Sequence, residues 1–544
     1  MALIALRPPD VVMRLDRLGA SHPTRLSFLR TLIRRAERER WRFRRARWDM
    51  DDAGHGCAVL SVDTGPRTYS LVAFSTPLDD SRRTDRVIAE AWDTSYVLYD
   101  GVPDADEVGR LRGNAPLQEA GRFGPRDLVL ARANKSVRLF DELVETLASG
   151  RQPDAGRLMS VGYLMRTTAV YGNGKFGIAD RAEIVDRPEL AGPFQAEMLT
   201  VWLIRSFKID LAEHVAARRA PARAVKLDAA LRRRLGVGNA TGLGMAPFLV
   251  RHPVLMHNWF FARETALARV RALSVASAAA KAGFLAALSA MIDNVSNWRS
   301  ADERQPRAIA GLAADLSKLA LEASAILEDS PLPWDALYRF AETRFSLEGQ
   351  EACVALLLEP QGELVDDLAD AMAADESAPF GIEGGLSCDA LKTAIARDYA
   401  WTRDYDFGRE SAHARFWYVS EEKLEPRLGE RFRESGADLE QPLAIARDIV
   451  ALLRALNEEA AATPVADFLL RRPEWRHLVR RARIVAERPY AEIRGNLIDA
   501  EMRPVDLLRC KLAFFGARNF DPRSDRWLRI ALFAGEPLIE EVAG

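Results

Sequence analysis

A glycine-punctuated stretch, residues 236–259 (GVGNATGLGMAPFLVRHPVLMHNW), constrains the fold of this chain more than any other segment. Glycine at positions 236, 238, 242 and 244 lets the backbone adopt positive φ and approach other groups closely. Pro247 or Pro253 can then occupy the first turn of a helix, whose N-terminus favours anions. We therefore predict an anion-binding loop here, with a tight connector between buried helices as the alternative.

Composition describes an ordinary globular protein with a large core. Of the 544 residues, 48% are apolar and 28% are charged, and the length predicts about two to four domains. The 76 basic and 78 acidic residues nearly cancel, which argues against a nucleic-acid partner and against an anionic membrane surface. The four cysteines form no CxxC pair, and there is no run of apolar residues long enough to span a membrane. We therefore expect a soluble, cytoplasmic protein without a disulfide framework or a zinc ribbon.

Arginine is concentrated near the N-terminus. Residues 23–48 are predicted to form one helix, in which nine arginines between Arg30 and Arg47 are interleaved with aromatic residues. Basic and aromatic side chains in this arrangement can grip phosphates and stack bases. Because Glu37 and Glu39 interrupt the run, a solvated or interdomain face is the alternative.

The pattern changes to strands between residues 56 and 101. Runs rich in β-branched and aromatic residues at 57–62, 68–75, 86–92 and 95–101 are separated by turn residues, which predicts an antiparallel meander. A helix near residues 135–148 follows, and Gly150 fits the position that ends a helix. Residues 1–150 are therefore predicted to form an α+β domain.

The remainder of the chain is predicted to be mainly helical. A central domain, residues 151–380, contains an apolar helix at 194–214, and a C-terminal domain, residues 381–544, contains three clear periodic runs. The predicted fold class is thus α+β and predominantly helical, with a small N-terminal antiparallel sheet with helices followed by a large helical region. The further predicted helices lie at residues 274–295, 309–327, 391–401, 442–460 and 465–486.

A second glycine-rich stretch, residues 171–177 (YGNGKFG), places one lysine in a loop of exposed amides. A lysine there can hold a phosphate or carboxylate as a point charge, whereas a solvated turn is the alternative. Neither glycine stretch has the spacing of a dinucleotide fingerprint or a P-loop. The predicted substrate-binding residues are polar members of the two glycine stretches and two arginines that could clamp a carboxylate: Tyr171, Asn173, Lys175, Asn239, Thr241, Arg409 and Arg518.

Residues 398–418 (DYAWTRDYDFGRESAHARFWY) combine aromatics, carboxylates, arginines and a histidine more densely than any other stretch. An apolar wall with a few convergent polar groups is typical of a pocket, and an amphipathic helix with its aromatics in the core is the alternative. Because an imidazole titrates near neutral pH, His413 is the predicted general acid or base. Glu410 and His257 complete the predicted catalytic set.

Two Glu-x-x-His pairs, Glu410 with His413 and Glu474 with His477, have the spacing that puts both side chains on one helical face. Bundles that hold two iron or manganese ions use one such pair from each of two helices, together with a glutamate from each of two more. Because the sequence offers no such further helices, we expect no bound metal, and no cofactor is indicated. Cys388 could be activated at a helix N-terminus, with an inert buried cysteine as the alternative.

Together these features predict an enzyme of lyase or hydrolase type that acts on a small carboxylate- or phosphate-bearing metabolite by general acid-base chemistry. It could assemble as a homodimer. Two alternatives stay open. One is a metal-dependent oxidoreductase built on the Glu-x-x-His pairs, and the other is a regulatory or nucleic-acid-associated protein that binds through the basic N-terminal helix.

Overall fold

The chain is described by a computed structural model, which covers residues 4–83, 91–117, 122–172, 186–241, 252–300, 304–372, 381–403, 416–418, 426–428, 445–494, 504–522 and 528–542. Two compact units are present, each assembled from segments that are distant in sequence. The sheet unit comprises residues 23–241, 512–521 and 529–544. The helical unit comprises residues 1–22, 242–511 and 522–528. The predicted domain boundaries at residues 150 and 380 remain predictions.

Helices and strands together confirm the predicted fold class, a helix-rich α+β protein. The described strands are β1 (Arg42–Met50), β2 (Gly56–Asp63), β3 (Thr68–Ser75), β4 (Thr94–Asp100), β5 (Asp127–Lys135), β6 (Tyr163–Gly172), β7 (Gly236–Thr241), β8 (Phe416–Tyr418), β9 (Pro426–Leu428), β10 (Asn519–Pro522) and β11 (Leu528–Leu532). The described helices, apart from short 3-10 turns, are α1 (Pro9–Val12), α2 (Leu15–Gly19), α3 (Phe28–Arg38), α4 (Ala105–Asn114), α5 (Phe140–Ala148), α6 (Ala155–Val161), α7 (Gln195–Arg219), α8 (Ala229–Arg234), α9 (Pro253–Arg271), α10 (Ala278–Ser296), α11 (Arg304–Asp329), α12 (Pro333–Arg344), α13 (Leu347–Leu358), α14 (Gly362–Val365), α15 (Cys388–Asp398), α16 (Ile445–Asn457), α17 (Val465–Arg471), α18 (Arg476–Glu487), α19 (Pro504–Phe515) and α20 (Ile539–Val542).

The sheet unit is built on one large sheet, in which nine strands are described in the order β1-β2-β3-β4-β5-β6-β7-β11-β10. Neighbours from β1 to β6 pair antiparallel, which confirms the predicted meander for β2, β3 and β4. Of the third predicted strand, residues 86–92, only positions 91 and 92 are described, and they are not strand. β6 and β7 pair in parallel, so that β6, α7 and β7 form a βαβ unit.

Successive side chains of a strand point to opposite sides of the sheet, so the apolar strands of this sheet need cover on both faces. Helices provide it. On one face, residues such as Val72 and Val97 pack with Leu111 of α4. On the other face, α7 lies against β3 to β7, and Phe207 makes an edge contact with the ring of Tyr96. The apolar helix predicted at residues 194–214 is therefore confirmed, and α7 is buried around most of its circumference.

The helical unit contains α1, α2, α9 to α18 and the N-terminal part of α19, together with the β8–β9 pair. Its C-terminal helices α15 to α18 share an apolar core that includes Leu391, Ile449, Phe468 and Val479. The run predicted as one helix at residues 465–486 is divided into α17 and α18 at Pro473, because proline lacks the N–H that a helix interior needs. Within the described ranges, no helix combines the length and the apolar character required to cross a bilayer.

The basic N-terminal helix predicted for residues 23–48 is wrong in its second half. α3 ends at Arg38, Arg40 takes a positive φ of 55°, and residues 42–50 form the edge strand β1. A bulge between Arg45 and Arg47 changes the alternation of side chains, so that Phe43 and Trp48 both face α7. The arginine-rich run is therefore an edge strand, where charged side chains oppose pairing with another chain.

The prediction of a loop is also wrong for the first six residues of the glycine stretch 236–259, which form a strand. Residues 236–241 form β7, where the backbone N–H of Gly236 donates to the Gly162 carbonyl at 2.8 Å. A Cβ on Gly238 would lie 2.4 Å from the ring of Tyr163, so this glycine is required for packing. Pro253 begins α9 as predicted, and residues 242–251 lie outside the described residues.

Replacing Gly238 by alanine should lower the free energy of unfolding by about 1–3 kcal/mol, because the new methyl group overlaps the Tyr163 ring. Gly311, within α11, is the matched control, since no atom lies within 4 Å of the position of its added Cβ. There the same substitution should stabilise the helix by up to about 1 kcal/mol. Urea denaturation of both variants measures the two effects, and equal changes would contradict the packing role of Gly238.

Candidate functional site

The two glycine-rich stretches include the ends of two neighbouring parallel strands and continue beyond them. β6 ends at Gly172 and β7 ends at Thr241, with Tyr163 opposite Gly236 and Arg166 opposite Gly238. Because parallel strands run in one direction, their carboxyl ends lie at the same edge of the sheet, which we call the carboxyl edge. In α/β sheets ligands bind outside the carboxyl ends of parallel strands.

Three of the predicted substrate-binding residues belong to these strand ends. Tyr171 is the penultimate residue of β6, and Asn239 and Thr241 lie in the second half of β7. Asn173 and Lys175, which continue the chain from β6, lie outside the described residues. The glycine pattern therefore identified two segments that the topology brings to one edge of the sheet, although both were predicted to be loops throughout.

The predicted catalytic residues are only partly described. His413, Glu410 and the substrate-binding candidate Arg409 lie outside the described residues, so their roles remain predictions. His257 lies in α9 of the helical unit, where its Nδ1 accepts the backbone N–H of Tyr490 at 3.2 Å and its ring stacks on Phe261. Burial, assisted by Arg488, lowers the pKa of His257 to about 4. His257 is therefore a half-buried histidine that is neutral at neutral pH.

Two other predicted polar groups have ordinary structural partners. Nε of Arg518, in the sheet unit, lies 3.3 Å from a carboxylate oxygen of Glu536, so this guanidinium is already engaged. Cys388 is the first residue of α15 and is buried, and burial raises the pKa of its thiol, which opposes activation as a nucleophile.

The second Glu-x-x-His pair is divided between two elements. Glu474 lies in a 3-10 turn, whereas His477 lies in the first turn of α18, and both side chains are exposed. Among the residues that the structure describes, no group of three or more His, Cys, Asp or Glu side chains could hold a metal ion.

The sheet unit also contains a cluster of charged side chains that was not predicted from the sequence. We call it the lysine cluster: Lys135 and Lys208 beside the ring of Phe140, together with Asp93 and its partner Arg83. Lys135 is the last residue of β5, Lys208 lies within α7, and Phe140 begins α5. The two ammonium nitrogens lie 5.6 and 5.3 Å from the centroid of the Phe140 ring. Asp93, Lys135 and Lys208 are all buried.

The carboxylate of this cluster is already occupied by other groups. Both oxygens of Asp93 lie 3.1 Å from the backbone nitrogen of Lys135, whose N–H donates to them, and Oδ2 lies 3.3 Å from Nε of Arg83. Arg83 also pairs with Asp80 and Asp141, each at 3.0 Å, and those two carboxylates are largely exposed. The buried part of the lysine cluster therefore carries more positive than negative charge when both lysines are protonated.

The lysine cluster and the carboxyl edge lie at opposite ends of the strands β5 and β6. Along β5, Lys135 lies opposite Met165 near the start of β6, whereas Val129 lies opposite Gly172 at the end of β6. Six residues of strand at about 3.3 Å per residue separate them by about 20 Å. They are thus two distinct places in the sheet unit.

Burial changes the chemistry of the two lysines. It lowers the pKa of Lys208 to about 7, with Lys135 and Arg83 acting in the same direction and Asp93 opposing them. Burial also lowers the pKa of Lys135. A substantial fraction of Lys208 is therefore the neutral amine at neutral pH, and a neutral amine is a base and a nucleophile.

The helical unit contains a buried ionic network of a different kind. Arg7 binds Glu264 with two hydrogen bonds of 2.7 and 2.8 Å and reaches Glu351 at 2.6 Å. Arg263 and Arg17 also contact these carboxylates, at 2.8 Å each. Burial alone would raise the pKa of Glu351, but Arg7 and Arg263 hold it well below its usual range. These charges are matched by close partners, which is the arrangement of a structural network.

Replacing Glu351 by glutamine should lower the free energy of unfolding by about 3–5 kcal/mol, because it leaves buried arginine charge without its carboxylate. The exposed Glu328 of α11 is the control, since its replacement by glutamine removes the same formal charge and should change stability by less than about 0.5 kcal/mol. Chemical denaturation at pH 7 measures both, and a small effect at Glu351 would show that the network contributes little.

Lys208 should make stability depend on alkaline pH. Its pKa is lower in the folded chain than in the unfolded chain, so the unfolded chain binds more protons between about pH 7 and about pH 10.5. The free energy of unfolding should therefore rise with pH across this window, by about 2–4 kcal/mol from this lysine. Lys208→Met should reduce that rise and be more stable than the parent chain at pH 7. The exposed Lys226→Met variant should retain the full rise, and equal pH profiles for all three proteins would exclude a charged-form penalty at Lys208.

No family model, curated protein or solved structure matches the chain.

Proposed function

We propose that this chain is an enzyme that binds a small carboxylate- or phosphate-bearing metabolite at the carboxyl edge of β6 and β7. The observation that supports this most is the parallel pairing of those two strands, since each is followed by a glycine-rich segment. Adjacent parallel strands joined through a helix are a recurrent setting for anion sites.

The packing narrows which amides are available to a ligand. The N–H of Gly236 is used in the sheet, and Gly238 provides space for Tyr163, so neither position is assigned to the ligand. The proposed donors are instead the amides of the segments that continue beyond Gly172 and Thr241. Lys175 supplies a positive charge to the first of these segments.

For the chemical step we propose general acid-base catalysis by His413, with Glu410 three residues before it. An ordinary imidazole exchanges a proton near neutral pH, as a lyase or hydrolase requires. We do not assign this role to His257, because its Nδ1 is occupied by a backbone N–H and its pKa is about 4.

Neither alternative function has a supporting contact in the described residues. Along the basic segment, Arg45 pairs with Asp210 and Arg47 with Asp49, which reduces the charge offered to a nucleic acid. Glu474 and His477, for their part, lack the further ligands that a metal site needs in the described part of the chain.

Anion binding can be measured by thermal unfolding with inorganic phosphate, pyrophosphate, citrate and malate as separate probes. A ligand at a hundred times its Kd should stabilise the protein by about 2.7 kcal/mol. Lys175→Met should lose at least part of this stabilisation, whereas Lys226→Met, which removes an exposed lysine elsewhere in the sheet unit, should retain it. If no probe stabilises the protein, or if Lys175→Met responds like the parent chain, the proposed anion site is wrong.

Turnover can be tested by incubating the protein with a mixture of small carboxylates and phosphate esters and following depletion by mass spectrometry. His413→Ala should abolish depletion and leave the anion-induced stabilisation intact, because binding and proton transfer are assigned to different residues. Loss of both properties together would instead indicate a structural role for His413.

A further inference from the structure

Two buried basic residues, Arg205 and Lys208, lie about one helical turn apart on α7, and they differ in their hydrogen bonding. Arg205 donates to four backbone carbonyls, at 2.6 to 2.9 Å, so that each of its guanidinium nitrogens has an acceptor. Lys208 is 2% exposed, yet no described residue accepts a hydrogen bond from its Nζ. A buried polar group without a partner costs about 1–3 kcal/mol, so its retention in an apolar helix calls for an explanation.

The groups that face Lys208 make an added negative charge favourable. They come from several different elements: Lys135 from β5, Asp93 from the residue before β4, Arg83 from the segment after β3, and Asp141 from α5. Asp93 already binds Arg83 and the Lys135 backbone, and Asp141 is more than half exposed. An anionic group at Lys208 would therefore balance the charge of Lys135.

We propose that Lys208 is a site of reversible carbamylation by carbon dioxide, with the ammonium group of Lys135 as the countercharge of the carbamate. The neutral Nζ attacks the carbon of CO2 and forms a C–N bond, while one C=O bond becomes a C–O⁻. Nζ then releases one proton to solvent, which leaves a neutral N–H and a carboxylate. No oxidant, reductant or further reactant is needed.

The burial of Lys208 favours this reagent over larger ones. A phosphate, a keto acid or a cofactor aldehyde would have to bring a bulky or charged group to a side chain that is almost fully enclosed. Carbon dioxide is small and uncharged, so it can enter a protein interior without the cost of burying a charge. The charge appears only after the bond has formed, next to Lys135.

This modification is independent of the proposed enzyme activity. The lysine cluster lies about 20 Å from the carboxyl edge, as the β5–β6 register gives at about 3.3 Å per residue. The test of carbamylation at Lys208 is therefore independent of the anion-binding experiments.

The test uses the full-length chain equilibrated with ¹³C-labelled bicarbonate and carbon dioxide. Carbamates are trapped with triethyloxonium tetrafluoroborate and located by peptide mass spectrometry, and the ¹³C NMR spectrum of the untrapped protein provides a second readout. We expect a trapped carbamate at Lys208 and a carbamate resonance that Lys208→Met removes. Lys226→Met should retain both signals, because this lysine is exposed and is not among the charged groups that act on Lys208.

A second variant tests the countercharge. Lys135→Met keeps the reacting amine, but it should weaken the affinity for carbon dioxide about tenfold or more, since a nearby opposite charge shifts an ionisation by about one to three pKa units. Circular dichroism checks that each variant is folded, and if Lys208→Met does not fold, site mapping on the parent chain and the Lys135→Met titration decide the matter. Absence of a carbamate at Lys208, trapping confined to exposed lysines, or an unchanged affinity in Lys135→Met would each overturn the proposal.

Discussion

The burial of α7 against the sheet is the constraint on which the rest of the sheet unit depends. The helix connects β6 to β7 and is buried around most of its circumference, because it packs against β3 to β7 and also against α3 and α5. Its polar residues consequently cannot reach water by turning outward. Arg205 meets this constraint by binding carbonyls of residues 233, 235, 536 and 537, which attaches the segment before α20 to the helix. For Lys208, burial instead lowers the pKa, so that the neutral form of its amine is accessible near neutral pH.

Much of the fold could be predicted from the period of apolar residues, and the failures have identifiable causes. The buried strands β2 to β4 and the helix α7 carry long apolar runs, which identify them directly. β1 does not, because its exposed side is arginine and its bulge breaks the alternation of period two. β7 was missed because glycines normally indicate a loop, whereas Gly238 is in a strand to make room for the Tyr163 ring.

The candidate sites, like the fold, could be predicted from the sequence only in part. The glycine stretches could be selected from composition, but their common edge depends on the parallel pairing of β6 and β7, which no local pattern encodes. The lysine cluster was not found, because its members at positions 93, 135 and 208 are far apart in sequence and each is unremarkable alone. The available signal was a lysine in the middle of an apolar helix, which is a costly residue to bury.

Two buried ionic arrangements in this chain show how charge balance separates structural from reactive groups. In the helical unit, Arg7 and Glu264 meet in a bidentate pair, and Glu351 binds further arginines, so each charge is stabilised in its ionised form. Such groups hold elements together and exchange no protons near neutral pH. In the lysine cluster the carboxylate of Asp93 is shared between Arg83 and a backbone N–H. The charge of Asp93 therefore offsets the burial of Lys208 only in part, so the neutral form of this amine is accessible. An amine in that form is available for chemistry in a way that the paired arginines are not.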